Sequence, residues 1–309
     1  MMVIWLALAL DFLFGDPPNR FHPVAWLGQV VSQVEKYLPH KDARSDFLAG
    51  LVVWICGGGI ILGLADMGER ICRRFPFPID LLAQALCLKL TISARGLTNA
   101  ARQVALSLTD DLPKARRLLA WHLVSRDTSI LSPSQVAAAT IESVAENTSD
   151  GIIAPLFYYA IGGLRLAWLY RFANTLDSMW GYHDATHEWL GKAAARLDDL
   201  LNFIPARLSA TFIVFSAWLR GENAAQALQT ILQDAHQTAS PNAGFPMSAM
   251  AGALEVELEK VGYYRLGRGL SKPNRQDIQR AIPLMTTGVI LGGIVLSGLF
   301  MIKSRHTRF

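Results

Sequence analysis

The chain of 309 residues is rich in apolar side chains and poor in charged ones: 51% of its residues are hydrophobic and only 17% are charged. Soluble domains carry about 25% charged residues, so this chain lacks the charge that a fully hydrated surface needs. The net charge is only +4, without a Lys/Arg run or zinc-finger spacing, so we expect no nucleic-acid partner. Cys56, Cys72 and Cys87 form no CxxC pair, so we expect neither a disulfide framework nor structural zinc.

Long uncharged stretches predict membrane-spanning helices. Residues 47–65 and 283–302 contain no charged side chain, and each is long enough to cross a hydrocarbon core of about 30 Å. Neither stretch has a polar helix face that could contact water, which argues against buried helices of a soluble protein. Shorter or interrupted apolar stretches predict further spans at residues 3–14, 79–93, 152–170 and 203–219.

Basic residues inside three of these weaker stretches predict helices that line a cavity or re-enter the membrane. Lys89, Arg165 and Arg207 lie within them, and a central Arg costs about 2.5–3.5 kcal/mol on insertion scales. Strand patterns are almost absent, and Ser132 followed by Pro133 indicates the start of a polar helix. We therefore predict an all-α fold, a polytopic integral membrane helical bundle with amphipathic and re-entrant helices, in which the whole chain forms one membrane domain.

The most unusual polar segment is residues 142–151. Glu142 and Glu146 are one helical turn apart, so both carboxylates project from the same helix face. Like charges at this spacing destabilise a helix, whereas a Mg²⁺ site or a proton-transfer site uses such a pair. Asn147 and Asp150 follow in a run of short polar side chains that we expect to end the helix. The alternative is a polar helix end capped by Gly, without a chemical role.

Two further polar groups lie at the ends of predicted spans. Asn174 and Asp177 share a helix face because they are three residues apart. Asp198 and Asp199 precede Arg207 at another boundary between polar and apolar sequence. Carboxylates at such boundaries are candidates for metal or proton binding, and an Arg there is a candidate for phosphate binding.

Two turn-rich segments complete the set of candidates. Residues 240–252, which begin with Ser240 and include Asn242, combine turn formers with small residues and so permit close backbone approach to a ligand. An ordinary surface loop has the same composition. Asp16 and His22 lie in a rigid polar turn after the first apolar stretch, where a lone His is more often a structural residue than a ligand.

The sequence contains none of the common nucleotide-binding or hydrolase motifs. It has no GxxxxGK[ST], no strand-linked GxGxxG, no HExxH and no GxSxG. Any use of ATP must therefore proceed without a Walker loop.

Taken together, these polar segments resemble the CobD/CbiB family, the adenosylcobinamide-phosphate synthases of cobalamin biosynthesis. The resemblance covers nearly the whole chain, in the same order. The segments that carry it are Asp11 with residues 15–18, then residues 22–24, 125–128, 142–151, 154–158, 174–182, 198–208 and 240–252.

The resemblance implies an enzyme that forms an amide bond. The reaction is an ATP-dependent ligation of (R)-1-aminopropan-2-ol phosphate, or of aminopropanol, through its amine to a propionate of adenosylcobyric acid. The product is adenosylcobinamide phosphate. ATP and Mg²⁺ are the implied cofactors, and the corrinoid is a substrate.

Candidate roles follow from the residue types in the matching segments. For catalysis we expect Glu142, Glu146 and Asp177. For binding of substrate or phosphate we expect Asp16, His22, Arg126, Asn147, Asn174, Arg207, Ser240 and Asn242. For metal binding we expect Glu146, Asp150 and Asp199.

The expected location is the bacterial inner membrane, with several spans, in contact with the lipid bilayer and with the active surface facing the cytoplasm. Other corrin-assembly enzymes are candidate partners. Two alternatives remain open at this point: a membrane transporter, because intramembrane Arg and broken helices also mark transport paths, and a non-catalytic membrane scaffold for corrin enzymes.

Overall fold

A computed structural model describes residues 1–38, 42–182, 184 and 186–306, with the side chains through residue 299. Most of these residues are helical. A short 3₁₀-helix (Asn19–Phe21) follows the first α-helix, and a π-helix (Ser149–Ile153) joins the seventh to the eighth. The α-helices are α1 (Met2–Phe14), α2 (Pro23–Glu35), α3 (Ala43–Cys72), α4 (Ile79–Lys89), α5 (Ala94–Asp110), α6 (Leu112–His122), α7 (Pro133–Thr148), α8 (Ala154–Trp180), α9 (His187–Leu190), α10 (Lys192–Arg220), α11 (Ala224–Asp234), α12 (Gly244–Leu254) and α13 (Arg275–His306).

One small β-hairpin interrupts the helices. Strand β1 (Leu258–Lys260) pairs antiparallel with β2 (Tyr264–Leu266), and Lys260 lies opposite Tyr264. Gly262 in the connecting turn has a φ of 79°, a conformation that favours glycine. The sequence analysis predicted no strands, so this hairpin is a finding of the structure.

Four helical segments are long and apolar enough to cross a membrane: Ala43–Cys72, Pro133–Trp180, Lys192–Arg220 and Arg275–Leu299. They contain the predicted spans 47–65, 152–170, 203–219 and most of 283–302. Helix α3 exposes Val52, Ile55 and Ile60, as expected of a helix that faces lipid. The predicted all-α polytopic membrane fold is confirmed.

The two remaining predicted spans are short helices. Stretch 3–14 forms α1, of 13 residues, and stretch 79–93 forms α4, of only 11 residues, which ends at Lys89. A helix perpendicular to the plane of the bilayer needs about 20 residues to cross it, so neither helix is long enough to span the membrane by itself. The two helices pack against each other, with Ile4 and Leu88 completely buried.

The helices group into two compact units, each made of separate chain segments. The first comprises residues 1–93, 154–202 and 296–309. Its core includes Val31, Leu176 and Trp180. Trp180 Nε1 donates to Glu35 Oε2 at 2.9 Å, and His187 Nε2 lies 3.1 Å from Glu35 Oε1. These contacts tie α8 and α9 to the end of α2.

The second unit comprises residues 94–153 and 203–295. Helix α7 is largely buried in this unit, since all residues from Val136 to Ala145 are buried. As predicted, this helix begins after Ser132, whose hydroxyl accepts from the Gln135 N–H in a capping box. The grouping into units does not show whether they fold separately, so the single membrane domain stays a prediction.

Helices α11 and α12 of the second unit approach closely at Gly252. A Cβ at this position would lie 2.4 Å from the Gln226 carbonyl oxygen and 2.6 Å from the Ala227 Cα. Both contacting atoms belong to the backbone, so the clash could be relieved only if the two helices separated.

We predict that Gly252→Ala destabilises the protein by about 1–3 kcal/mol, because overpacking outweighs the gain in helix propensity. The measurement is the thermal unfolding midpoint in detergent. Gly59→Ala is the matched control, because outside its own stretch of helix no atom of the described residues lies within 4 Å of its added Cβ. An unchanged midpoint for Gly252→Ala would contradict the described packing.

Candidate functional site

Positively charged side chains lie near the two glutamates of α7, Glu142 and Glu146. Glu142 is buried, and its Oε2 lies 3.5 Å from Arg126 Nη2. Its Oε1 is buried and has no hydrogen-bond partner among the described residues. Glu146, one turn later, is half-buried. A carboxylate oxygen without a partner in such a place is costly unless a ligand or a proton satisfies it.

Arg126 comes from the loop between α6 and α7, and local hydrogen bonds fix this loop. Asp127 accepts from the Ser129 N–H at 2.8 Å and from the Ser129 hydroxyl at 2.9 Å. The Thr128 hydroxyl donates to the Arg116 carbonyl at 2.9 Å. The sequence around Arg126 therefore forms a compact turn that holds the guanidinium near Glu142.

The β-hairpin brings two more groups to the glutamates. The positive charge of Lys260 acts on both Glu142 and Glu146. Burial, and then the negative charges of Glu142 and Glu146, raise the pKa of Tyr264. The Tyr264 phenol is therefore neutral at physiological pH and can donate a hydrogen bond. We name Arg126, Glu142, Glu146, Lys260 and Tyr264 the α7 cluster.

As predicted, α7 ends within the polar run, at Thr148, but helical structure does not end there. The chain does not stop being helical at residues 147–151: α7 continues to Thr148 and passes through the π-helix Ser149–Ile153 into α8. Asn147 Nδ2 donates to the Ser143 carbonyl at 2.9 Å, and Asp150 is half-buried within the π-helix. Single-turn π-helices often occur at functional sites, because the wider turn redirects side chains.

Arg207 of α10 is held between two aromatic rings in the second unit. Its guanidinium carbon lies 3.7 Å from the Phe203 ring centroid and 4.1 Å from that of Phe245. Its Nη1 donates to the Phe203 carbonyl at 2.7 Å and to Asn242 Oδ1 at 3.2 Å. Its other two nitrogens bond to none of the described residues, so they remain for an anion.

Ser240 and Asn242 support this arginine. The Ser240 hydroxyl accepts from the Asn242 N–H at 3.2 Å and from the Ala243 N–H at 3.4 Å, just before α12 begins. Asn242 is buried. The predicted grouping of Arg207 with the 240–252 segment therefore agrees with the contacts, while substrate binding by these residues stays a prediction.

In the first unit, Asp16 is the centre of a buried ionic cluster. Lys89 Nζ lies 2.7 Å from Asp16 Oδ1 and 3.8 Å from Asp11 Oδ1, and the Ser93 hydroxyl donates to Asp16 Oδ2. Burial opposes ionisation, but hydrogen bonds from His22, Lys89 and Ser93 lower the pKa of Asp16 well below its usual value. Asp16 is therefore an anion that anchors Lys89.

His22 has a structural position beside this cluster. Its Nδ1 accepts from the Val24 N–H at 3.2 Å and caps α2, while its Nε2 lies 3.5 Å from Asp16 Oδ1. Because Nδ1 accepts this hydrogen bond, the proton of a neutral His22 ring lies on Nε2. Binding of substrate by Asp16 and His22 stays a prediction.

A second polar cluster of the first unit lies between α8 and α10. Asp198 Oδ2 accepts from Asn202 Nδ2 at 2.8 Å, and Asn202 Oδ1 accepts from the Tyr170 hydroxyl at 2.8 Å. Asp198 is buried, and among the described residues its Oδ1 has no hydrogen-bond partner. Asn174 and Asp177 reach it from α8. The buried acid here is thus Asp198, whereas the predicted ligand Asp199 is half-buried.

The predicted metal ligands do not form a preassembled site. Within the part of the chain that the structure describes, no three His, Cys, Asp or Glu side chains are arranged to hold a metal ion. Mg²⁺ commonly binds through one or two carboxylates together with waters and substrate phosphates. The unpartnered oxygen of Glu142 and the nearby Glu146 fit that mode, in which a nucleotide supplies the remaining ligands.

We predict that Lys89→Met destabilises the protein by about 3–5 kcal/mol, because it leaves the buried Asp11 and the half-buried Asp16 without their cation. The measurement is the thermal midpoint in detergent, with the exposed Lys36→Met as control. Adding Asp16→Asn to Lys89→Met should recover part of the loss. If Lys89→Met were as stable as the control, the ion pair would not stabilise the first unit.

The sequence was compared with protein families and with known proteins. The sequence model of the family described as CobD/Cbib protein matches residues 4–285. A protein named "Probable cobalamin biosynthesis protein CobD" from Methanothermobacter thermautotrophicus is 37% identical over 97% of this chain and 98% of its own length.

Two relatives named "Cobalamin biosynthesis protein CobD" show the same extent of similarity. The protein from Dehalococcoides mccartyi is 39% identical over 97% of both chains. The protein from Klebsiella pneumoniae is 38% identical over 91% of this chain and 89% of its own length. No solved structure matches. The resemblance read from the polar segments is confirmed: the chain belongs to the CobD/CbiB family.

Proposed function

We propose that this chain acts in cobalamin biosynthesis and catalyses the ATP-dependent formation of an amide bond. The carboxylate partner is a propionate of adenosylcobyric acid, and the amine partner is (R)-1-aminopropan-2-ol phosphate. The names of the relatives support the pathway, since they describe those proteins as cobalamin biosynthesis proteins. The reaction itself rests on the family resemblance and on the chemistry of the α7 cluster.

The observation that carries the proposal is the setting of Glu142. It is a buried carboxylate with one oxygen unpartnered among the described residues, and it lies in a segment that matches the family. Its neighbours are two cations, Arg126 and Lys260, and the neutral phenol of Tyr264. A carboxylate that serves only packing has no need of such partners, whereas one that meets a charged ligand does.

The proposed reaction has two steps. A propionate oxygen bonds to the γ-phosphorus of ATP and ADP leaves, which gives an acyl phosphate. The amine nitrogen then bonds to the carbonyl carbon and inorganic phosphate leaves. Because an ammonium ion is not nucleophilic, a carboxylate must take its proton, and Glu146, which is half-buried and beside Glu142, suits this role.

Charge balance indicates how the phosphates bind. The carboxylates of Glu142 and Glu146 are balanced by Arg126 and Lys260, so the cluster is near neutrality before a nucleotide binds. Mg²⁺ would neutralise the phosphate oxygens that the nucleotide adds. The unengaged guanidinium nitrogens of Arg207 are the proposed contact for the phosphate of the amine substrate. We place this surface on the cytoplasmic side, where ATP is available.

We predict that a strain without this protein fails to make adenosylcobinamide phosphate from cobyric acid but grows when cobinamide is supplied. The reason is that only the amide-forming step is missing. Corrinoids in cell extracts, identified by mass spectrometry, provide the measurement. If cobinamide did not restore growth, the function would lie at another step.

We predict that Glu146→Gln lowers turnover by at least about 100-fold, because it removes a proton acceptor while it preserves the size of the side chain. Product formation in isolated membranes is measured along with protein abundance and thermal midpoint, which should not change. Asp110→Asn, an exposed acid at the end of α5, is the control. A wild-type rate for Glu146→Gln would move the site to the Asp177 and Asp198 cluster, whereas complementation by this variant despite lost turnover would favour a scaffold.

A further inference from the structure

A groove of about 590 Å³ opens on the second unit between α5, α10 and α13. Most of its lining is apolar, and two of the apolar side chains, Leu106 and Ile290, are 59% and 43% exposed. The apolar lining includes Leu106, Ile282, Pro283 and Ile290.

Two arginines give this groove a positive charge. Arg102 of α5 and Arg220 of α10 line it, and no acidic residue does. Throughout the described ranges, neither guanidinium lies within 4.0 Å of a carboxylate. Arg220 Nη1 donates to the Thr287 hydroxyl at 3.3 Å, which holds its guanidinium against α13. The two charges are therefore available to an anion.

The groove lies where two candidate membrane spans end. Arg220 is the last residue of α10, and the facing part of α13 runs in the opposite direction. The Ser216 hydroxyl donates to the Leu284 carbonyl at 2.8 Å, and beyond the end of α10 Glu222 Oε1 accepts from Nε of the earlier residue Arg280 at 3.2 Å. At the end of a span, an exposed apolar wall meets acyl chains and an adjacent cation meets headgroups. A small soluble phosphate compound would not cover Leu106 and Ile290.

We propose that this groove binds an anionic phospholipid, with its phosphate on Arg102 and Arg220 and an acyl chain along the apolar wall. Arginine is suited to phosphate because its planar guanidinium can donate two parallel hydrogen bonds. Gln279 and Thr286, which also line the groove, provide neutral groups for a polar headgroup. The site is separate in its residues from the α7 cluster and from Arg207.

The test is lipid-dependent stabilisation of the full-length protein, delipidated in detergent. Added dioleoylphosphatidylglycerol should raise the thermal midpoint in a saturable manner, and dioleoylphosphatidylcholine should do so weakly. The double variant Arg102→Gln/Arg220→Gln should weaken the apparent affinity for phosphatidylglycerol by about tenfold or more, since each basic residue near an anionic headgroup contributes. Arg102→Lys/Arg220→Lys should lose less affinity than the double Gln variant, because both positive charges remain.

Arg117→Gln is the matched control, because it removes one exposed guanidinium from α6 of the same unit. Equal stabilisation by the two lipids, or an unchanged affinity in the double Gln variant, would overturn the proposal. The same midpoint shift with inorganic phosphate alone would also overturn it in favour of a soluble ligand. If the double variant is not recovered as a folded protein, the single variants Arg102→Gln and Arg220→Gln are measured instead. An unchanged affinity for phosphatidylglycerol in both single variants would contradict the site.

Discussion

The need to compensate charge among apolar helices is the constraint on which this structure depends. A carboxylate removed from water is stable only if cations or hydrogen-bond donors reach it. Asp16 has Lys89, Ser93 and His22 as partners. Glu142 instead keeps one oxygen without a described partner, although Arg126 lies 3.5 Å from its other oxygen. Asp16 thus belongs to a structural ion pair, and the lone oxygen of Glu142 supports the proposal that a ligand binds there.

Small residues make these arrangements possible. Helix α7 contains four alanines between Ala137 and Ala145, all buried, so neighbouring elements can approach its axis closely. The backbone approach at Gly252 holds α12 against α11 in the same way. The hairpin, which also packs against α7, then carries Lys260 and Tyr264 to the glutamates. Packing thus positions the polar groups on which the proposed chemistry relies.

Much of the fold and of the candidate site was predictable from local sequence patterns, and the remainder depends on contacts between distant residues. Uncharged length predicts the long spans, and the cap at Ser132 predicts the start of α7. Helical spacing alone brings Glu142 and Glu146 to one face. The sequence shows that Lys89 is costly within an apolar stretch, but its partner Asp16 lies 73 residues away. The hairpin was missed because each strand has three residues and Gly262 is its main local signal.

The central claim is that this chain itself joins an activated carboxylate to an amine. The most direct test is a reaction of the purified protein with ATP, Mg²⁺, aminopropanol phosphate and adenosylcobyric acid labelled with ¹⁸O in the reacting carboxylate. We expect one inorganic phosphate for each amide formed, and that phosphate should carry one ¹⁸O, because the acyl phosphate breaks at its carbon–oxygen bond. Amide formation without ATP, or no amide from folded, lipid-supplied protein, would contradict the account.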